Sequence, residues 1–230
     1  MKKVKLFTLV GGALALGLTS CDLNDDSAAL PPTAYVSLYN ASPNSPGLSI
    51  KVDQKVINNN SSFDYADNTG YLRFYTGDRK LEFTPFGANN VVADTTVKFE
   101  DGKAYSVFFA DTFQKPDVLV VSDDTSEPAE GKAKIRFLNL SPDGPELNLL
   151  VSGNETPLVS GQSFKETPEF IEVEAKEYDF QVKLASGGTD VLLTVPDANL
   201  QSGWVYTILV RGYRTPPSGS NAVLSAEIID

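Results

Sequence analysis

The feature that most constrains this chain is a corner written twice. Asn40-Ala41-Ser42-Pro43-Asn44-Ser45-Pro46 ends one apolar-alternating run, and Asn139-Leu140-Ser141-Pro142-Asp143-Gly144-Pro145 ends another in the second half. The flanks repeat as well: Val36 and Leu38 match Ile135 and Phe137, and Leu48 matches Leu147. Proline has no N–H, so a sheet ladder does not continue through Pro43 or Pro142. It also pushes the serine before it into the extended region. Asn and Ser side chains bond nearby backbone and build a turn of their own. The stretch reads as a corner between strands. A ligand loop at the same place is the functional alternative, since loops carry function when they carry any.

A second motif is duplicated in step with the first. Phe99-Glu100-Asp101-Gly102-Lys103-Ala104-Tyr105 has the spacing apolar-x-x-Gly-x-x-Tyr, and Leu200-Gln201-Ser202-Gly203-Trp204-Val205-Tyr206 repeats it. This is similar to the tyrosine corner of Greek-key sandwiches, where a tyrosine at a strand start bonds back to upstream backbone. Two corners in the same order in both halves describe one folding unit, copied. A chain of 230 residues has room for two such units of about 100 residues each.

The first residues read as a targeting segment. Lys2, Lys3 and Lys5 precede an apolar stretch from Leu6 to Leu18 that is short for a bilayer span. Leu18-Thr19-Ser20-Cys21 then resembles the lipobox of bacterial lipoproteins. That resemblance implies cleavage before Cys21, lipidation of its sulfur and acylation of the new amine with palmitate-type chains. One acyl chain binds a membrane only marginally, so several on one residue make a durable anchor. Asp22-Leu23-Asn24-Asp25-Asp26 follows. It has three readings: an export signal toward the outer face of the outer membrane, a solvated tether, or an acidic metal loop. The last lacks the glycine and glutamate offsets of an EF-hand.

Paired domains that open with Asn-x-Ser-Pro-x-x-Pro, close with Gly-x-x-Tyr and follow a lipoprotein signal resemble an uncharacterised domain-of-unknown-function family. Its members are tandem immunoglobulin-like domains on envelope lipoproteins of Gram-negative bacteria. The resemblance covers roughly residues 34–230. It implies an all-β chain of two tandem immunoglobulin-like Greek-key β-sandwiches in the cell envelope, and it brings no catalytic residues. The expected organisation is a signal peptide at 1–20, a lipidated Cys21 with its tether at 21–33, a first sandwich at 34–122, a linker at 123–131 and a second sandwich at 132–230.

Turn signals at sandwich spacing place strands at 34–39, 48–52, 55–57, 70–75, 79–86, 91–99, 103–110 and 117–122 in the first repeat. In the second they fall at 133–139, 147–151, 156–159, 169–174, 177–185, 190–195, 203–212 and 221–229. Alternation points Leu81 and Phe83 inward and Lys80, Glu82 and Thr84 outward. By the same rule Ile135 and Phe137 face in while Lys134 and Arg136 face out.

Composition narrows the chemistry. A net charge of −11 and a pI near 4.5 oppose nucleic-acid binding and attraction to anionic lipid. The absence of histidine removes the commonest general base and metal ligand. A single cysteine excludes an intrachain disulfide. No Gly-x-Ser-x-Gly elbow or phosphate-cradling glycine loop occurs. No cofactor and no metal are expected; Asp64-Tyr65-Ala66-Asp67-Asn68-Thr69-Gly70 is oxygen-rich but has the residues of a turn.

The leading functional expectation is therefore a non-enzymatic envelope lipoprotein acting as a structural or interaction module toward a protein or a glycan. Its partners would be the membrane, through lipid on Cys21, and an envelope protein or glycan. The first rival is a carbohydrate-binding accessory lipoprotein, with Tyr65, Tyr75, Trp204 and Tyr213 as candidate ligand contacts. It requires several exposed aromatics on one face, whereas packing in a core is the other use of such rings. The second rival is a carboxylate hydrolase, which requires two acids facing each other across a cleft at about 5–10 Å.

Overall fold

The computed structural model describes residues 31–58, 61–188 and 190–230. The expected signal peptide, Cys21 and the acidic run lie outside these residues. Residues 31–230 form one compact unit, and all its regular structure is strand.

The first repeat contains β1 (Thr33–Asn40), β2 (Leu48–Val52), β3 (Lys55–Val56), β4 (Asn68–Tyr75), β5 (Gly77–Pro85), β6 (Ala93–Phe99), β7 (Ala104–Ala110) and β8 (Asp117–Asp123). The second contains β9 (Lys132–Asn139), β10 (Leu147–Val151), β11 (Val159–Gln162), β12 (Ile171–Glu174), β13 (Glu177–Leu184), β14 (Val191–Asn199), β15 (Val205–Arg211) and β16 (Ser225–Ile229). Every expected strand has a counterpart. β11, expected at 156–159, is displaced along the chain to Val159–Gln162. Pro157 has no N–H to donate, so the ladder begins after it.

Each repeat is a sandwich of two four-stranded sheets, ordered β4-β1-β7-β8 over β3-β2-β5-β6 and β12-β9-β15-β16 over β11-β10-β13-β14. The expected pair of tandem β-sandwiches is what the structure shows. Its strand order is four plus four, where the constant-type immunoglobulin order is ABED over CFG. β1 pairs with β7 in parallel, and β9 with β15 likewise.

The duplicated motifs sit where the chain leaves one sheet for the other. Asn40 ends β1 at the first crossing. Its buried amide donates to the Phe63 carbonyl at 3.1 Å and accepts from the Ser42 N–H at 3.2 Å. Asn139 does the same to the Gln162 carbonyl at 3.2 Å and from the Ser141 N–H at 3.2 Å. At the later crossing Tyr105 accepts from the Glu100 N–H at 3.2 Å, and Tyr206 from the Gln201 N–H at 3.1 Å. These are tyrosine corners by geometry as well as by spacing.

Three apolar clusters stack through the unit. One fills each sandwich: Val36, Leu38, Leu81, Phe83 and Phe109 in the first, Ile135, Phe137, Leu149, Phe180 and Ile208 in the second. The third lies between the repeats and joins Tyr39, Phe108, Ala110 and Val121 to Leu138, Leu140 and Leu209. Tyr39 pairs with Phe108 across β1 and β7, and Leu138 with Leu209 across β9 and β15. The same strand positions of both repeats thus meet face to face, and the four sheets form four layers.

This layer corrects the expected direction of two side chains. Lys134 and Arg136 leave the core of their own sandwich, but they are 7% and 1% exposed because the first repeat covers them. β9 is buried on both faces from Ala133 to Asn139. Thr84, expected beside Lys80 and Glu82 on the solvent side, is likewise fully buried, and its hydroxyl has no partner.

Candidate functional site

Side chains alternate along a strand, so one face of β4-β1-β7-β8 carries Tyr35, Ser37 and Tyr39 from β1. Register sets Tyr71 opposite Ser37, Arg73 opposite Tyr35 and Tyr75 opposite Thr33. Tyr39 and Ser37 disappear under the second repeat. Toward the β4 edge the cover ends. There Tyr35, Tyr71 and Tyr75 are 42%, 46% and 63% exposed, with Arg73 among them.

These rings are held. The Tyr71 hydroxyl donates to Asp123 Oδ2 at 2.8 Å. Burial of that hydroxyl end, then the Asp123 carboxylate, pushes the phenol well above its ordinary pKa. Asp123 also accepts from Ser106 at 2.9 Å and lies 2.7 Å from Arg136 Nη1. Nη1 has no well-aligned hydrogen bond, so this is a close ion pair rather than a fork. Arg136 spends its other donors on Ser106 Oγ and Thr207 Oγ1, both at 2.8 Å, and its guanidinium lies 4.7 Å from the Phe170 ring centroid. At the other end Arg79 donates to the carbonyls of Tyr75 at 3.0 Å and Thr76 at 2.6 Å, and pairs with Asp53 at 2.9 Å.

Shallow grooves flank the row. One of about 310 Å³ at the junction is lined by Tyr35, Tyr71, Asp124, Thr125 and Val205. Another of about 300 Å³ at the sandwich side is lined by Arg73, Tyr75, Arg79, Asp53 and Ile57. The second repeat provides an internal control. Its register pairs Lys134 with Glu172 where the first pairs Tyr35 with Arg73, and Lys132 with Glu174 where the first pairs Thr33 with Tyr75. The same fold places charges there, so tyrosines are not a requirement of the sheet.

Of the sequence candidates, Tyr75 belongs to this row. Trp204 is 48% exposed and stacks on Tyr206 at 6.5 Å, at the start of β15. Tyr213 is buried. Tyr65 lies under the Arg211 guanidinium at 4.9 Å, in a contact between the repeats. Tyr35, Tyr71 and Arg73 escaped the sequence reading as a site. The signal for them was the repeat comparison, which needs the β1–β4 register before it can be made.

Acids in several parts of the unit are engaged by cations. Lys134 first, then Ser126, lower the Asp124 carboxyl to about 2. Lys165 joins Asp111 at 3.1 Å and Asp117 at 2.8 Å. Glu227 is raised by burial, yet it accepts from both Tyr39 and Arg211. Among the described residues no cluster of three or more His, Cys, Asp or Glu side chains is placed to hold a metal ion.

Fold and site together define a tandem β-sandwich protein with an aromatic row on its first repeat. The chain belongs to the family described as Domain of unknown function (DUF4397), which matches residues 34–150, the first sandwich and the start of the second. No curated protein matches it in sequence. Among solved structures, a streptococcal virulence factor studied for alpha-glucan binding shares 15% identity over 76% of this chain and 92% of its own, at a TM-score of 0.25. A CBM26-family module of Eubacterium rectale Amy13K, in complex with maltoheptaose, shares 10% over 84% and 96%, at 0.26. The Bacillus anthracis TIE protein shares 10% over 78% and 34%, at 0.24. Likeness at such scores carries no argument about this chain.

Proposed function

We propose that this chain is a non-enzymatic lipoprotein of the cell envelope, anchored through Cys21, whose stacked sandwiches present the row Tyr35–Tyr71–Arg73–Tyr75 as an interaction surface. One observation carries the reading. The first repeat exposes Tyr35 and Tyr75 at positions where its own copy has the charged Lys134 and Glu174. Exposed aromatic rings lower solubility, and a contiguous set of them marks a binding surface. A non-enzymatic role is supported by the state of the acids. Asp124 is engaged by Lys134, Asp123 by Arg136 and Glu227 by Arg211, so these carboxylates serve as ion-pair partners within the fold.

The anchor is tested by labelling cells with a palmitate analogue and separating their membranes. The expected result is a labelled protein in the membrane fraction, and an unlabelled soluble one for Cys21→Ala. An unlabelled wild-type protein would remove the lipoprotein reading. Digestion of intact cells by added protease then tests whether the body lies at the outer surface, as the acidic run after Cys21 suggests.

A further inference from the structure

We infer that the tyrosine row takes an uncharged oligosaccharide laid along β4, an assignment that rests on the interaction-module reading above. The shape of the site fits a chain rather than a single sugar. Tyr71 and Tyr75 are four residues apart on one strand, roughly 13 Å at the strand rise. Both lie on the same face, with Tyr35 beside them on β1. The row continues into a groove at each end. Sugar rings have an apolar C–H face and a hydroxyl rim, which suit aromatic faces and hydrogen-bonding flanks respectively. Here the flanks carry both signs: Arg73 and Arg79 with Asp53 at one end, Asp124 and Thr125 at the other. Such flanks favour neither an anionic nor a cationic ligand, and Arg73, exposed among the rings, keeps donors for hydroxyls.

The competing occupants fit less well. A bilayer interface also attracts tyrosine and tryptophan, but the body is acidic, at −11 for the whole chain, and anionic headgroups would repel it. A protein partner would favour a pocket at the centre of the patch to bury an anchor, whereas the grooves here lie at the ends of the row. The site is also pre-organised: the bonds that fix Tyr71 and the backbone of Tyr75 exist before any ligand arrives, so little ordering remains to be done on binding.

The test uses the protein from residue 22 onward, which contains every described residue. It is applied to an array of neutral oligosaccharides (α- and β-linked glucans, mannans and xylans) and anionic ones, with neutral and anionic vesicles in parallel. Tyr75→Ala is the main variant, because this side chain is 63% exposed and its loss leaves the sandwich intact. Circular dichroism verifies its fold. Tyr35→Ala is the second. The expected result is retention of one or more neutral oligosaccharides, weakened about tenfold in the Kd of each variant. Retention unchanged in both variants, retention of anionic glycans only, or absence of glycan binding overturns the inference. Vesicle association that Tyr75→Ala abolishes, without glycan retention, overturns it in favour of a lipid surface. The anchoring experiment is read independently, so the glycan assignment can fail while the lipoprotein reading stands.

Discussion

Arg136→Met tests the stacking of the repeats most directly. Arg136 belongs to the second repeat and Asp123 to the end of the first, and their side chains are 1% and 3% exposed at 2.7 Å. Methionine keeps most of the apolar stem and removes the charge. Breaking a buried pair from one side costs about 3–5 kcal/mol, since it strands the remaining charge. Asp123 would still accept from Tyr71 and Ser106, which argues for the low end, about 3 kcal/mol. For a unit of this size that corresponds to a Tm lower by roughly 6–12 °C. Urea unfolding at neutral pH, followed by far-UV circular dichroism and Trp204 fluorescence, measures it. Adding Asp123→Asn removes the stranded charge, so the double variant recovers part of the loss. A cost below about 1 kcal/mol for the single variant, or strict additivity in the double, would refute the reasoning, because both mean a solvated pair and repeats that are not pressed together.

Two further outcomes follow from the local geometry. Asn139→Ala removes an amide that serves the carbonyls of Pro145 at 2.9 Å and Gln162 at 3.2 Å and the N–H of Ser141, all at a buried corner. A loss of roughly 2–4 kcal/mol in urea unfolding is expected, and one below about 0.5 kcal/mol would mean water reaches the corner. Asp124 is held from 3.8 down to about 2 by Lys134 and Ser126. A carboxyl depressed in the folded state stabilises above its unfolded pKa. Its contribution is therefore complete above about pH 4 and lost as pH falls toward 2. The carboxyl is 40% exposed, so salt should shrink the effect. An Asp124→Asn variant with the same acid-unfolding slope as wild type would show that the pairing does not form.

What could be read in the sequence was whatever depends on neighbours along the chain. Asn40, Pro43, Gly102 and Tyr105 announce corners through their own backbone chemistry, and their copies confirm the period. β2 and β10 come out with the bounds the turn signals set. Hidden from that reading was everything decided by a second layer. Alternation reports that Lys134 and Arg136 leave one core; it does not report that another sheet waits on the far side. The adjacent Phe108 and Phe109, both fully buried, were the available hint, since a strand apolar on both sides is covered on both sides. The tyrosine row was concealed for a related reason. Tyr35 and Arg73 are far apart in sequence and become neighbours only through the β1–β4 register.

The layer between the repeats is built from matching patches, Tyr39 with Phe108 against Leu138 with Leu209. A patch that mates with its own duplicate is satisfied after one pairing, like the two-fold contact of a dimer. A third sandwich appended to this chain would find no vacant copy of that seam to dock on. The seam closes on its own pair, unlike the open-ended stacking of solenoids.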